Sequence, residues 1–324
     1  MKFYENGEAL TDPRGFFCSG VHCDVKGVKN GKLDLGIIFS KKPCNSAGVF
    51  TTNDVRAAPV IYCQNLLSVP NAVFHAVVAN SGNANACTGQ QGELDSKKMA
   101  SEVARHLDIK KEEVLVCSTG RIGEKLPMTR ITTGIREASE DILDECDGAR
   151  AFQEAILTSD TCTKSCSAKI TTSRGEVTIG GVVKGAGMIE PNMATMLSFI
   201  ETNVDISKTL LKKYLKYCAN LSFNSISVDG DMSTNDTVVF SSTGNIKLNM
   251  KNKSIEAKFL SCASNFFIKL ASLIVKDGEG ATKFIKLSVT NAKSLVLAQE
   301  VAKKLSKSLL VKTAIFGEDP NWGR

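Results

Sequence analysis

Short runs of β-branched and aromatic residues alternate irregularly with amphipathic helical segments along this chain, and this irregular order limits the folds it can adopt. Turn residues at the ends of apolar runs predict strands at 33–40, 47–52, 74–81, 113–118, 167–173, 176–185 and 284–290. Apolar spacing predicts helices at 95–108, 128–159 with a break at 146–148, 205–219, 254–275 and 293–308. Because strict β-α-β alternation is missing, the pattern favours a layered α/β or α+β domain over a doubly wound sheet.

The composition is that of a soluble folded protein. A chain of 324 residues with 43% hydrophobic residues can bury the core of one large domain or two smaller ones. The net charge is +6, but the basic residues are scattered with few aromatic residues among them, which is poor support for nucleic-acid binding. The first residues lack the apolar core of a signal peptide, and no stretch approaches 18 uninterrupted apolar residues. We therefore expect a cytoplasmic protein that does not interact with membranes.

The common metal and nucleotide motifs are missing from the sequence. Eleven cysteines occur without a C-x-x-C pair, and the three histidines are far apart, which argues against a zinc site or a disulfide framework. No phosphate-binding loop, G-x-S-x-G elbow or H-E-x-x-H helix is found. The segment VDGDMSTND (228–236) begins like a calcium loop but has Thr234 where the loop needs glycine, so we interpret it as a polar turn. We expect no metal and no cofactor.

A threonine follows a turn-forming Pro-Asn pair in MIEPNMATMLSF, residues 188–199. A threonine hydroxyl needs a base to act as a nucleophile, and an N-terminal threonine carries one, because its α-amine titrates at about 7.7–8.0. Such a terminus would arise if the Oγ of Thr195 attacked the carbonyl of Ala194 and water then hydrolysed the ester. Pro191 and Asn192 would hold the strained turn that this attack requires. From these residues alone, a threonine that simply begins a strand is the commoner explanation.

Two further segments have both a structural and a catalytic explanation. The glycines of Lys184-Gly185-Ala186-Gly187 would let the backbone approach a ligand, and Lys184 could hold a carboxylate, although a solvated lysine at a strand exit is commoner. Cys117-Ser118-Thr119-Gly120 follows a predicted buried strand, where an N–H group and a hydroxyl could stabilise an oxyanion. A plain strand-end turn is the alternative there.

Seven motifs occur in the order found in one known family. The chain resembles the glutamate N-acetyltransferase / ornithine acetyltransferase family of arginine biosynthesis over nearly its whole length. The motifs are AGVFTTNDVRAAPV (47–60), NSGNANACTG (80–89), STGRIGEKLPM (118–128), KGAGMIEPNMATML (184–197), SFNSISVDGDMSTNDTV (222–238), DGEGATKF (277–284) and DPNWGR (319–324).

The resemblance implies a fold and a processing event. The fold would be α+β, a layered αββα sandwich with mixed sheets like that of the ornithine acetyltransferases and self-cleaving aminopeptidases. The precursor would cut itself between Ala194 and Thr195, giving an α chain of residues 1–194 and a β chain of residues 195–324 that stay associated. By the same resemblance, the αβ pairs would assemble as a heterotetramer.

The resemblance also implies a reaction and a set of site residues. Family members move the acetyl group of N-acetylornithine to L-glutamate, and some also use acetyl-CoA as a donor substrate, through an acetyl-threonine enzyme with ping-pong kinetics. Thr195 would be the nucleophile, and its α-amine the base. Thr119 and Gly120 match the pair that stabilises the oxyanion. The positions that match the family's amino-acid substrate site are Thr161, Lys184, Thr195 and Glu279.

The sequence departs from the family pattern at three places. Arg121 follows Thr119-Gly120 where a small or hydrophobic residue is usual, and Cys162 and Thr163 replace a bulky residue and a proline. Family members continue for several dozen residues beyond DPNWGR, where this sequence ends. Two alternatives to the acetyltransferase therefore stay open: an N-terminal-threonine amidase or aminopeptidase that passes the acyl group to water, and an inactive truncated fragment.

Overall fold

Nine strands and eight α-helices make up the described part of the chain, which in this computed structural model comprises residues 2–4, 9–143, 146–190 and 196–323. The strands are β1 (Lys2–Tyr4), β2 (Phe16–Val21), β3 (Leu35–Phe50), β4 (Phe74–Asn80), β5 (Val114–Ser118), β6 (Lys164–Thr172), β7 (Gly175–Lys184), β8 (Leu197–Val204) and β9 (Thr237–Ile246). The helices are α1 (Ala58–Ser68), α2 (Gly89–Leu107), α3 (Met128–Glu140), α4 (Cys146–Ala155), α5 (Lys208–Leu221), α6 (Lys253–Lys276), α7 (Leu295–Lys307) and α8 (Leu309–Phe316).

The long strand β3 belongs to two sheets. Its first half pairs antiparallel with β2 and β4, and its second half pairs antiparallel with β9, after a register shift between Phe39 and Cys44. The order along the combined sheet is β1-β6-β7-β8-β9-β3-β4-β5, with β2 alongside β3. The pairs β4–β5 and β8–β9 are parallel, and the other pairs are antiparallel, so both sheets are mixed.

Alternating side chains divide the interior into three layers of packing. Neighbours such as Val77 and Val78 point to opposite faces of the first sheet, and Phe199 and Ile200 to opposite faces of the second, as the two-residue period of a strand requires. One cluster fills the space between the two sheets. A second lies between the sheet that contains β4 and β5 and the helices α2 and α3. A third lies between the sheet that contains β7, β8 and β9 and the helices α5 and α6. The predicted αββα sandwich with mixed sheets is therefore confirmed.

Helix α6 is buried in the third layer. By length and composition alone it could cross a membrane, and it is the one helix of the described residues that meets this test. Its apolar side chains instead pack into the core, where Phe267 lies 5.6 Å from Phe223 and 5.8 Å from Phe240 between ring centroids. We interpret α6 as a core helix.

Most of the predicted elements exist, but three boundaries were wrong. The strands predicted at 33–40 and 47–52 form one strand, β3, because the polar residues between them continue the pairing across a bulge. The helical break predicted at 146–148 lies before that position, since α4 begins at Cys146. Helix α2 begins at Gly89, well before the predicted start at 95.

The strand predicted at 284–290 is also wrong. The segment has no secondary structure, and Phe284 is 51% exposed although the alternation predicted a half-buried strand. A strand needs a hydrogen-bonding neighbour, and no described strand pairs with this segment. Residues 2–4, 16–21, 58–68, 237–246 and 309–316 form elements that the sequence pattern did not predict.

Truncating Phe267 tests the packing of α6. We expect Phe267→Ala to lower the free energy of unfolding by about 3–5 kcal/mol, because it removes a fully buried ring that contacts three other aromatic rings. The neighbouring Ile268 is 44% exposed, so Ile268→Ala is the matched control and should change stability by less than about 1 kcal/mol. Urea unfolding followed by circular dichroism measures both, and equal losses would contradict this packing.

Candidate active site

The ends of four neighbouring strands define the site. Lys184 at the end of β7 pairs with Leu197 at the start of β8, which pairs with Thr237 at the start of β9, which pairs with Phe50 at the end of β3. Asn235, just before β9, donates from Nδ2 to the carbonyl of Ser118 at 2.8 Å, and Ser118 ends β5 in the other sheet. Strand ends from both sheets therefore meet at one place.

Lys184 is a buried lysine with hydroxyl and carboxylate partners. Its side chain is 2% exposed, and its Nζ lies 2.7 Å from Thr158 Oγ1, 3.2 Å from Thr119 Oγ1 and 3.7 Å from Asp160 Oδ2. Burial lowers the pKa of Lys184, while Asp160 acts in the opposite direction. The structure thus brings together the predicted substrate lysine and the predicted oxyanion threonine.

Thr119 and Gly120 present a hydroxyl and a backbone N–H beside Lys184. The N–H of Thr119 donates to Asn80 O at 3.0 Å, so Thr119 contributes its hydroxyl, whose oxygen accepts from Lys184 and whose hydrogen is left to donate elsewhere. Gly120 has φ +134°, and a Cβ there would lie 2.3 Å from the carbonyl carbon of Gly82. Only glycine fits this turn, because it packs directly against the backbone of Gly82 and Asn83.

Asp160 connects Lys184 to a second buried lysine. Its Oδ1 accepts from Lys164 Nζ at 2.6 Å and from the Gly185 N–H at 2.7 Å. Although burial acts to raise the pKa of Asp160, the ammonium groups of Lys184 and Lys164 lower it from 3.8 to about 2. The carboxylate is therefore ionised and stabilises both cations.

The two other predicted substrate residues lie around the same strand exit. Thr161 is exposed and donates its backbone N–H to Asp277 Oδ2 at 3.1 Å, and its hydroxyl donates to Asp277 as well. Glu279 donates its N–H to Ala186 O at 2.8 Å, and a Cβ on Gly187 would lie 2.5 Å from Glu279 Oε2. The glycine therefore allows the Glu279 carboxylate to lie against the backbone at residue 187, three residues after Lys184.

Ala194 and Thr195, the predicted cleavage site and nucleophile, lie outside the described residues, as does the rest of 191–195. Their roles stay predictions. The polar turn 228–236 binds the described residues on both sides of this segment. Asp229 accepts the N–H groups of Met188 and Ile189, and Asp236 Oδ1 accepts the N–H of Met196 at 3.1 Å. The carboxyl groups of Asp229 and Asp236 thus accept hydrogen bonds from backbone N–H groups on both sides of the segment.

Asp236 has the properties of a functional carboxyl group. Burial raises its pKa well above the usual value, against the opposing effects of the Met196 N–H, Ser233 and Lys184. Its Oδ2 is buried and has no hydrogen-bond partner among the described residues. Burial therefore opposes ionisation of this carboxyl group, which binds Met196, the residue that follows Thr195.

Sequence reasoning missed Asp160, Lys164, Asp277 and Asp236. All four lie inside or beside quoted motifs, namely TSDTCTK (158–164), DGEGATKF and STND (233–236). The available signal was the charged residues within three positions of Thr161 and Glu279, and no such signal marked Asp236. Charges of this kind are usually solvated, so the pattern alone gave no reason to bury them.

Comparison with a distantly related solved structure identifies the class of fold. The L-aminopeptidase D-Ala-esterase/amidase from Ochrobactrum anthropi, described as a variant of the Ntn hydrolase fold, matches with a TM-score of 0.54 over 86% of this chain and 88% of its own. The sequences are only 11% identical, so this likeness concerns the fold alone. The fold is an αββα sandwich of the Ntn hydrolase type.

Closer relatives identify the family. The ArgJ family model matches residues 17–324. The arginine biosynthesis bifunctional protein ArgJ of Thermotoga neapolitana is 47% identical over 96% of this chain and 78% of its own length. The crystal structure of ArgJ from Bacillus halodurans matches with 41% identity and a TM-score of 0.55, and ornithine acetyltransferase from Mycobacterium tuberculosis, solved with ornithine, matches with 35% identity and a TM-score of 0.54. These two cover 60% and 59% of this chain, and 98% and 97% of their own. This chain belongs to the ArgJ family.

Replacing Asp160 tests the buried charge cluster. We expect Asp160→Asn to lower the free energy of unfolding at pH 7 by about 3 kcal/mol, because two buried ammonium groups lose their shared carboxylate. The folded-state pKa is depressed, so the stabilisation is present above about pH 4 and is lost as the pH falls towards 2. The difference between the two proteins should therefore narrow below pH 4.

Urea unfolding at pH 7, 4 and 3 measures this difference. Asp147→Asn is the control, because the Asp147 side chain is 82% exposed and its ion pair with Arg150 is of the surface type. It should change stability by less than about 1 kcal/mol at every pH. A difference between wild type and Asp160→Asn that is constant from pH 7 to pH 3 would contradict the ionised carboxylate.

Proposed function

We propose that this protein is an acetyltransferase of arginine biosynthesis that cuts itself between Ala194 and Thr195. It then moves the acetyl group of N-acetylornithine to L-glutamate through an acetyl ester on Thr195. The observation that carries the proposal is the convergence of Lys184 and Thr119 beside the strand start that follows Thr195. Acyl transfer needs a nucleophile with a base, oxyanion donors and a substrate anchor, and these residues supply the last two.

Self-cleavage comes first in the proposed sequence. The Thr195 Oγ attacks the carbonyl carbon of Ala194, the peptide C–N bond breaks, and the nitrogen takes the proton that the Thr195 hydroxyl loses, becoming the α-amine of Thr195. Water then hydrolyses the ester, which leaves a carboxylate on Ala194 and a free hydroxyl on Thr195. The hydrogen bonds of Asp229 and Asp236 to the residues on both sides support this step, because they hold the flanks of the scissile segment.

Acetyl transfer follows in two halves. The α-amine takes the proton of the Thr195 hydroxyl as Oγ attacks the acetyl carbonyl, and the developing oxyanion accepts from the Thr119 hydroxyl and the Gly120 N–H. Ornithine leaves with the proton that the α-amine had taken. The amine of glutamate then attacks the acetyl ester, and the same steps run in reverse to release N-acetylglutamate and the free Thr195 hydroxyl. Lys184 suits the substrate carboxylate, and Glu279 suits its ammonium group.

The comparisons support the substrate class and the processing. The relatives are named as bifunctional arginine biosynthesis proteins, and one solved relative was crystallised with ornithine. The Bacillus halodurans chain covers 60% of the 324 residues, about 194 residues, with 98% of its own length. The match has the length of residues 1–194, the proposed α chain.

The remaining parts of the proposal concern donors, assembly and compartment. N-acetylornithine is the acetyl donor, and acetyl-CoA is a second donor if the chain is bifunctional like its named relatives. No further cofactor takes part. The two chains remain paired and assemble as a heterotetramer in the cytoplasm of a bacterial cell.

Self-processing can be measured directly. The purified protein should run as two pieces of about 21 kDa and about 14 kDa in place of one of 34.8 kDa, in proportion to residues 1–194 and 195–324. Thr195→Ala should stay in one piece, because it lacks the attacking hydroxyl. Intact mass spectrometry and N-terminal sequencing decide the point, and a folded wild-type protein of 34.8 kDa with no terminus beginning T-M-L would contradict the mechanism.

Transfer to glutamate separates the acetyltransferase from an amidase of the same fold. With N-acetylornithine and glutamate present, the transferase forms N-acetylglutamate and ornithine in equal amounts. An amidase releases acetate at a rate that glutamate does not change. Formation of acetate without N-acetylglutamate would therefore contradict the proposed transfer and show that the enzyme hydrolyses N-acetylornithine.

The role of Thr119 can be tested with an isosteric variant. We expect Thr119→Val to lower kcat for acetyl transfer by about 10²–10³-fold, the usual cost of removing one oxyanion donor. Thr133→Val on the exposed face of α3 is the matched control and should leave kcat unchanged. Steady-state assays of both variants decide the role, and a loss of less than about threefold in Thr119→Val would exclude the hydroxyl as a donor.

A further inference from the structure

Lys164 is a buried lysine that no part of the proposed mechanism uses. Its side chain is 1% exposed, and its Nζ forms ion pairs with Asp160 at 2.6 Å and with Asp277. It also donates to the carbonyl of Cys162 at 3.4 Å. Burying an ammonium group is costly unless it is paired, so its position is fixed by these two carboxylates.

Asp277 joins this lysine to two substrate residues. It is the C-terminal cap of α6 and precedes Glu279 by two residues. Its carboxylate, 6% exposed, binds Lys164 and accepts both the N–H and the hydroxyl of Thr161. One carboxylate therefore holds the loop that contains Thr161 against the loop that contains Glu279.

We propose that Lys164 and Asp277 form a positioning clamp that sets Thr161 and Glu279 at a fixed distance from Lys184 for binding the amino-acid substrate. The clamp joins residues before and after the proposed cleavage point. The inference rests on the proposed function for the identity of the substrate, an α-amino acid with a carboxylate and an ammonium or amide group. Neither residue contacts the reacting atoms in this scheme.

The clamp determines which groups are left to meet the substrate. The Thr161 hydroxyl donates to Asp277, so its oxygen can only accept a further hydrogen bond. Asp160 lies closer to Lys164, at 2.6 Å, than to Lys184, at 3.7 Å, so a substrate carboxylate competes only with the longer ion pair. Glu279 has no ion-pair partner among the described residues, which leaves its carboxylate to bind an ammonium group.

Kinetics of single and double variants test the clamp. We expect Lys164→Met and Asp277→Asn each to raise KM for N-acetylornithine about tenfold with less than about threefold loss of kcat, because substrate binding is perturbed and the reacting groups are not. The double variant should raise KM by about the same tenfold, since both changes break one interaction. A hundredfold rise in the double variant, or single variants with unchanged KM, would overturn the proposal.

Amide hydrogen exchange tests the clamp without any assay of acetyl transfer. The N–H of Thr161 and the amides of 278–281 should exchange about tenfold faster in Lys164→Met and in Asp277→Asn than in wild type. Lys169→Met is the matched control, because Lys169 lies on the same strand and pairs with Asp12 away from the site. Equal exchange in wild type and clamp variants would overturn the clamp even if the wild type transfers acetyl groups.

A charge-conserving variant covers the case in which Lys164→Met does not fold. Lys164→Arg can reach both carboxylates, so it should keep the exchange protection and restore KM to within about threefold of wild type. If wild type shows no transfer but the exchange differences appear, the proposed function fails and the clamp stands. If Lys164→Arg and Asp277→Asn both match wild type in exchange and in KM, the clamp is wrong.

Discussion

The carboxylate of Asp160, placed between two buried lysines, is the interaction on which the site depends. Lys184 is buried because it ends β7, a strand that pairs with β6 on one side and with β8 on the other. Lys164 is buried because it begins β6, next to β7. Two buried cations would repel each other without a shared counter-charge. By binding both and the N–H of Gly185, Asp160 fixes the strand exit where the glycine-rich segment begins. The proposed substrate lysine and the proposed oxyanion threonine, Thr119, are thereby held next to each other.

The turn at 228–236 binds the chain on both sides of the proposed cleavage site. Its carboxylates at Asp229 and Asp236 accept backbone N–H groups on the two sides of residues 191–195, and Asn235 reaches the end of β5. Three separate stretches of sequence thus converge through side chain to backbone hydrogen bonds. Such bonds position backbone atoms more rigidly than contacts between flexible side chains, which suits a reaction of the backbone itself.

Much of the fold could be predicted from sequence, because strands such as Phe74–Asn80 and helices such as Lys253–Lys276 have strong local periodicity. The sandwich itself and the convergence of Thr119 with Lys184 came from a resemblance. The union of two predicted strands in β3 and the missing strand at 284–290 could not be predicted, since pairing depends on neighbours distant in sequence. The same holds for Asp160, Lys164 and Asp277, whose burial depends on the packing of three elements.

The order of strands in the combined sheet has a consequence for how the molecule must form. Strands β8 and β9 follow the proposed cut, yet they lie between β7 on one side and β3 on the other, both of which precede it. The later piece therefore fills a gap in the middle of the earlier piece, and neither can complete its hydrogen-bonded ladder alone. Folding would therefore have to precede the proposed cut, and the two resulting chains would remain joined by the strand pairs β7–β8 and β9–β3.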